Sequence, residues 1–544
     1  MKFFYTFALI ISILISFVSI FAFVDLGYDI LRLKVNFGHF EDTSIHEIFR
    51  ILEGGQLYST PSIEYIPLLY GPVYFYLSIP FAILFGKSFL AGRAISILST
   101  LVIFLLTYFL IRKMARIKTG QTILFTIISI GLFVSANEIF DFWLYTAKVD
   151  ALFLLFLVLA YLFFLYSEKN EKYLYVSSVF SSFLFFTKQN GILLPFFILL
   201  YLALLKEKKR FILFGSMFSL ISVILFLFFY LHSGEKFITF FLSIPSSHPL
   251  LWKKYSPELF QFFTPFLGAI LVFLVAIIGN SFKKEKIQNF GNTLFWKFCK
   301  QKKNAYPILF LVSLFSISFL GRMKVGAVGN SWIYFVFSLS VFFSIFIHRF
   351  SKAYFRRKKN VRYFVYSAVL FLFLFLQFTV FSYNYFSQKK FIANLKENEN
   401  ETIQTLCGYK TPLLFPFAGY LPEMLCRNES IAFQQQSVLE IIRNKKEYNQ
   451  FISRYKAALE SGYYKTIIHT SSVPMEKTEE GLKLIDMQLQ NAKTEKQKQD
   501  LLSFRSILEI NTIILKNYKN IQLISKSPMI RLRFFGGYYL CTLE

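Results

Sequence analysis

The sequence predicts an α-helical polytopic membrane protein with a C-terminal α/β domain outside the membrane. Three observations predict it. The 544 residues are 55% hydrophobic and 20% aromatic, with 72 Phe, a composition foreign to soluble domains. Apolar stretches of about 18–22 residues recur, the length needed to cross a bilayer as a helix. After Tyr383 the apolar runs stop, and polar segments with helical and strand patterning take over.

The net charge of +27 would suit a nucleic-acid binder if it formed one face. Instead the basic residues cluster in short loops between apolar runs. These are RKMARIK (112–118), KEKKR (206–210), 283–303 and RFSKAYFRRKKNVR (349–362), with a weaker EKNEK (168–172). Loops of opposite parity are poorer in Lys and Arg. By the positive-inside rule the clusters are cytoplasmic, so the charge reports topology and membrane-lipid contact, with no nucleic acid implied. The run from Phe3 to Val24 is long for a signal-peptide core and is followed by no small-residue cleavage site, so it reads as an uncleaved first span.

The elements follow in order. Spans are expected at about 3–25, 90–111, 122–140, 150–167, 173–187, 191–205, 211–231, 263–282, 305–320, 331–348 and 363–383. Eleven spans put the N-terminus in the cytoplasm and residues 384–544 outside. Residues 66–86 are apolar enough to span, but crossing there would expose RKMARIK on the outer side. Pro67, Pro72 and Pro80 also interrupt a straight helix. They are therefore read as a juxtamembrane helix within a first outer loop, 26–89. The membrane domain is 1–383. In the outer domain, YYKTIIHTS (463–471), IQLIS (521–525) and the end of the chain near 530–543 read as strands, and 475–518 as charged helix; an α+β arrangement is the rival. Asn400-Glu-Thr and Asn428-Glu-Ser are sequons on this side. Four cysteines show no metal-type spacing. With 384–544 outside, Cys407–Cys426 makes a plausible disulfide, against free thiols throughout.

Polar residues concentrate in four outward stretches: Glu41-Asp42 with the segment after it, EYIPLLYGP (64–72), the turns AKVD (147–150) with TKQNG (187–191), and GRMKVGAVGN (321–330). By loop charge all four face the same side. Charge inside the spans is scarce; Arg93, near an outer end, is the main case.

These stretches, in this order, resemble the C-type superfamily of membrane glycosyltransferases, of the protein O-mannosyltransferase and lipid A aminoarabinose transferase type (glycosyltransferase family 39-like). That family takes sugar from a polyprenyl-phosphate carrier. Its first outer loop carries an acidic residue about a dozen positions before a Gly–Tyr/Trp segment, as Glu41-Asp42 stands before Gly54-Gly55-Gln56-Leu57-Tyr58. EYIPLLYGPVYFYL matches its Tyr/Pro-rich juxtamembrane stretch, and FGKSFLAGRAISILST (85–100) the way it enters the next span. AKVDALFLLFLVLAY (147–161) resembles its Arg/Lys-x-Asp element. TKQNG and RMKVGAVGN resemble its basic outer turns. The resemblance covers most of 1–350 and, weakly, the C-terminal domain.

The resemblance implies an inverting hexosyl- or pentosyltransferase. It would move a monosaccharide from a polyprenyl-phosphate donor to a hydroxyl of a lipid, envelope glycan or protein, at the outer face of an inner or plasma membrane. Glu41 or Asp42 is expected as general base, Glu41 being preferred by register. Lys188, Arg322 and Lys324 would bind the phosphate, with Gln189 beside them. Asp150 would orient a sugar or a basic neighbour, and Tyr65 and Tyr70 would line the lipid or sugar pocket. Rival readings stand beside these. The two carboxylates would cap a helix over 44–53. Lys188 and Gln189 would only end a hairpin. Lys148 would pair with Asp150 or snorkel to headgroups. Arg322 and Lys324 would meet lipid headgroups. The tyrosines would form an interfacial belt. No metal ligand is assigned; His39, Glu41, Asp42, His46 and Glu47 are the one candidate set, matching no dedicated motif, and the ion for such an oxygen-rich set is Mg²⁺ or Mn²⁺. The competing function is a transporter or flippase for lipid-linked sugars, against which the absence of paired broken helices speaks.

Overall fold

The structure is a computed structural model. It describes residues 2–37, 40–140, 142–248, 250, 302–324, 329–356, 385–415, 419–426, 444–469, 475–491, 520–524 and 538–542, with scattered single residues between 437 and 518. The expected spans at 263–282 and 363–383, Cys299 and Asn428 lie outside the described residues.

The long helices are α1 (Lys2–Arg32), α4 (Phe89–Ala115), α6 (Val149–Tyr166), α9 (Lys208–Ser233), α10 (Lys302–Arg322) and α11 (Ile333–Arg356). Six helical segments among the described residues are long and apolar enough to cross a membrane, and the protein is a polytopic membrane protein. Several expected spans are shorter helices. α5 (Thr119–Val134), α7 (Lys172–Thr187) and α8 (Leu193–Leu204) have 16, 16 and 12 residues. The expected span 122–140 stops at Val134, and a short 3-10 turn, Asn137–Phe140, follows it.

In residues 26–89, labelled the outer loop for their expected side, α2 (Glu41–Leu52) begins three residues earlier than the sequence suggested. α3 (Val73–Phe85) is shorter than the apolar run 66–86, because Pro72 occupies its N-cap, where a proline's missing N–H and fixed φ are tolerated. Its 13 residues reach only about 20 Å, short of a bilayer core.

The chain divides into two compact units: residues 1–29, 95–228 and 249–390, and residues 30–94, 229–248 and 391–544. In the first, α6 is buried on nearly every side, including Phe153, Leu157, Tyr161 and Phe164. A helix apolar all round belongs at the centre of a bundle. Without a hydrophobic drive between helices in lipid, close backbone approach and hydroxyl bonds hold them together. A Cβ on Gly131 would lie 2.5 Å from the Ser16 Cα, so α1 and α5 meet at backbone distance. Ser177 donates to the Ala160 carbonyl at 2.7 Å and Ser178 to Phe214 at 3.2 Å, tying α7 to α6 and α9. Ile212, Leu220, Val223 and Ile224 of α9 are exposed, as lipid-facing side chains are. Lys389 pairs with Asp25 and Asp29 at 2.5 and 2.6 Å.

The second unit joins the outer loop to the C-terminal segment. That segment holds α12 (Glu399–Cys407), α13 (Leu421–Cys426), α14 (Lys445–Glu460), α15 (Met475–Gln490) and strands β1 (Leu413–Leu414), β2 (Thr466–His469), β3 (Asn520–Ile524) and β4 (Tyr538–Thr542). The sheet order is β1-β2-β4-β3. β1 runs parallel to β2, with Leu414 opposite Ile467; β2 and β3 flank β4 antiparallel, through Ile467–Cys541 and Gln522–Leu540. The three strand segments read from sequence are thus strands, and the two-residue β1 was too short to signal itself. Cys407 and Cys426 are disulfide-bonded, with Cα atoms 5.2 Å apart.

Candidate functional site

The outer-loop cluster is built on the first turn of α2. Its N-cap is Phe40, in the left-handed region at φ 60° and ψ 13°, with no side-chain cap. Glu41 and Asp42 are therefore inside the helix as its first residues, where the dipole favours negative charge, rather than capping a helix over 44–53. Both are fully buried.

A buried charge needs full pairing, and Glu41 has it. Arg93 grips it as a fork, Nε to Oε1 at 2.9 Å and Nη2 to Oε2 at 2.8 Å, and the Phe37 N–H donates to Oε2 at 2.8 Å. Arg93 itself is fully buried. Its remaining N–H groups donate to the carbonyls of Ile30, Leu33 and Val35 at 2.7–2.9 Å. Only a guanidinium can serve a planar carboxylate and three carbonyls at once.

Asp42 accepts from Asn36 Nδ2 at 3.0 Å on Oδ1 and from the Tyr420 N–H at 3.1 Å on Oδ2. Glu47, on the same helix, accepts the Leu68 N–H at 2.9 Å and shares a hydrogen bond with Tyr65. Burial pushes its carboxyl up to about 8. Tyr65 Oη also bonds the Leu57 carbonyl. One phenolic proton cannot serve both, so a neutral Glu47 donating to Tyr65 completes the network. The expectation that Tyr65 lines a lipid or sugar pocket does not hold for its hydroxyl, which is spent inside the loop. Tyr70 is half-buried, and its carbonyl accepts from Tyr58 Oη at 2.6 Å.

His46 stacks on Tyr420, with ring centroids 3.8 Å apart, and its Nδ1 lies 3.5 Å from Glu423. Burial pulls the His46 pKa down. Glu423 pairs with Lys87 at 2.6 Å. Burial raises its carboxyl, but the nearby His46 and the Lys87 ammonium outweigh that and hold it at about 2. The suggested metal set does not converge. Glu41 is occupied by Arg93, Glu47 faces Tyr65 and Leu68, and His46 faces Glu423; His39 lies outside the described residues. Among the described residues no group of three or more His, Cys, Asp or Glu could hold an ion.

A second cluster, in the other unit, centres on Asp150 in the first turn of α6 and fully buried. Its Oδ1 accepts from Lys188 Nζ at 3.0 Å, Asn330 Nδ2 at 3.2 Å and Tyr334 Oη at 2.5 Å. The alternative partner, Lys148, instead holds its Nζ 5.0 Å from the Trp143 ring centroid. Lys188 ends α7, and Gln189 opens the turn Gln189–Ile192. Arg322 ends α10, and Lys324 bridges to Leu250 through the backbone. Burial, and then the charge of Lys188, lower the Lys324 pKa. The charge of Lys188 is thus felt at Lys324, while Asp150 anchors Lys188.

Sequence reasoning missed Asn36, Tyr420, Glu423 and Tyr334. It saw Arg93 only as an isolated charge and Asn330 only as the end of a turn. Arg93 carried a signal, because a charge at a span end is costly unless paired. Tyr420 carried none, since it contributes a backbone N–H.

The sequence profile of the dolichyl-phosphate-mannose-protein mannosyltransferase family matches residues 69–233. No curated protein matches the chain. The crystal structure of ArnT from Cupriavidus metallidurans bound to undecaprenyl phosphate is similar in fold, with TM-score 0.54 and 10% identity, covering 98% of this chain and 97% of that one. The apo state of the same protein aligns with TM-score 0.52 and 11% identity, over 86% of this chain and 92% of that one. An Archaeoglobus fulgidus oligosaccharyltransferase aligns with TM-score 0.49 and 13% identity, over 86% and 70%. Residues 69–233 thus carry the signature of the dolichyl-phosphate-mannose-protein mannosyltransferase family, and the chain as a whole shares the fold of ArnT.

Proposed function

We propose that this protein is an inverting glycosyltransferase that moves a monosaccharide from a polyprenyl-phosphate carrier to a hydroxyl of a lipid, envelope glycan or protein. The observation that carries the reading is the difference between the two adjacent carboxylates. Arg93 forks both oxygens of Glu41, whereas Asp42 accepts from an amide side chain and a backbone N–H. A carboxylate locked to a guanidinium is a weak proton acceptor, because the pair favours its charged form. Asp42 is thus the general base, and Glu41 the residue that fixes the helix bearing it.

In the reaction, Asp42 takes the proton of the acceptor hydroxyl as its oxygen attacks the anomeric carbon. The bond from that carbon to the phosphate oxygen breaks, and polyprenyl phosphate leaves with the electron pair. A single displacement inverts the anomeric centre. The family resemblance assigns the departing phosphate charge to Lys188 and Lys324, with Asp150 fixing Lys188, and assigns Arg322 and Gln189 to that end and Tyr70 to the sugar or lipid. Asp42 has no exposed surface, so acceptor entry displaces a covering residue. The undecaprenyl phosphate in the ArnT structure supports the donor class by analogy of fold. Loop charge supports an inner or plasma membrane location, with a cytoplasmic N-terminus and the C-terminal domain outside.

The test is a transfer assay on purified protein in lipid, supplied with a panel of polyprenyl-phosphate hexoses and pentoses and envelope extract. The reading predicts release of polyprenyl phosphate by wild type. If lipid binds but no donor is consumed, the transporter reading replaces it.

A further inference from the structure

Asp42 is held from two sides, and one of them is the far end of the chain. Oδ1 is bound by Asn36, six residues away, while Oδ2 is bound by the N–H of Tyr420, 378 residues away. Tyr420 and the short segment that follows it make further polar contacts with the outer loop. Tyr420 Oη donates to the Glu64 carbonyl at 3.3 Å, and its ring lies on His46. One turn later Glu423 pairs with Lys87 at 2.6 Å and approaches His46. α13 ends at Cys426, covalently bound to Cys407 at the end of α12. At the other end of α12, Glu399 accepts the Lys34 N–H.

We propose that Tyr420–Cys426 is a positioning strap: the C-terminal domain reaches into the outer loop, aims the Asp42 carboxylate through the Tyr420 N–H, and is held there by the Glu423–Lys87 pair and the Cys407–Cys426 bond. This rests on Asp42 being the base. A backbone donor is worth placing only if its segment is fixed, because a small misplacement of a reacting group costs rate steeply. The disulfide closes a loop of 19 residues and so restricts the alternatives open to the strap. Glu423 and Lys87 are each about 30% exposed, so their pair guides more than it stabilises.

The experiment compares Glu423→Lys, Lys87→Glu, the double reversal, and Cys407→Ser with Cys426→Ser, each as full chain in lipid. It reads amide exchange over residues 41–52 and the kinetics of donor consumption. Glu423→Lys should speed exchange there and lower kcat roughly ten-fold, with donor KM within two-fold. It should also move the acid limb of the kcat–pH profile upward, because Asp42 loses a donor that favours its ionised form. The double reversal should restore exchange, kcat and profile, and the Cys pair should follow Glu423→Lys. Wild-type exchange and kcat in Glu423→Lys overturn the strap. Faster turnover in that variant also overturns it, since the segment would then be a cover. If wild type consumes no donor, the reading of Asp42 as base falls, and exchange alone upholds or overturns the strap.

Discussion

Arg93 and Glu41 form a buried fork, with Nε–Oε1 and Nη2–Oε2 at 2.9 and 2.8 Å and neither side chain exposed. Arg93 also holds the carbonyls of Ile30, Leu33 and Val35, where α1 ends and the outer loop begins. Removing one partner strands the other charge in a dry site. Arg93→Ala should cost about 3–5 kcal/mol of stability, and Arg93→Lys should also be unstable, because an ammonium cannot span the fork. Thermal unfolding in detergent checks both; a wild-type midpoint for either would refute the fork's structural role.

Two neighbouring amide substitutions should separate. Asp42→Asn should fold normally and bind donor, but lose roughly 100-fold or more in turnover. Glu41→Gln should lower thermal stability, because it leaves Arg93 without its counter-charge. Parallel melting curves and kinetics decide this. Loss of turnover in Glu41→Gln at unchanged stability, with Asp42→Asn active, would transfer the base role to Glu41.

Glu47 makes stability fall with pH. Its carboxyl sits at about 8 in the folded protein, against an ordinary 4.5. Below 4.5 both folded and unfolded states are protonated, and the group contributes no pH dependence. Between 4.5 and 8 the unfolded chain gives up a proton that the folded protein keeps, so stability declines as pH rises and levels off above 8. Glu47→Gln should flatten that limb. Melting temperatures taken from pH 5 to pH 9 measure it, and an unchanged slope would contradict a neutral Glu47.

Lys324 should lose its grip on anions earlier than an ordinary lysine. Burial and the Lys188 charge lower its pKa, so phosphate-lipid affinity should weaken as pH rises toward that lowered value, below the usual range near 10.5. Lys324→Arg should hold affinity to higher pH, and Lys188→Ala should raise donor KM roughly ten-fold or more. Equilibrium binding of polyprenyl phosphate across pH tests this, a pH-independent affinity in wild type being the contrary result.

How much was legible in the residues differs between elements. Apolar runs and loop charge revealed the helical membrane chain, because a bilayer dictates span length and the translocation machinery reads Lys and Arg locally. The patterning of 463–471, 521–525 and the chain near 530–543 pointed to three strands, and strands are found at Thr466–His469, Asn520–Ile524 and Tyr538–Thr542. The helix start at Glu41 was less legible: Phe40 adopts a left-handed turn that no side-chain cap advertises. The span end at Val134 was blurred, because apolar residues such as Ile139 and Phe140 continue past the point where the backbone stops being α-helical, whereas the end expected at 205 agrees with α8 stopping at Leu204.

The sequence by itself determined that this is a membrane chain, with a pair of carboxylates after its first apolar run and basic residues in short turns, and which residue types were available for chemistry. Only the tertiary structure decided how they divide the work. It gave Glu41 to Arg93, 52 residues on, brought the Asn36 amide and the Tyr420 N–H to Asp42, turned Tyr65 inward to Glu47, and paired Asp150 with Lys188 rather than its near neighbour Lys148. The physical reason is that a buried charge is tolerated only with a partner, and the partner is chosen by distance in space. A backbone N–H such as that of Tyr420 leaves no mark in the amino-acid sequence.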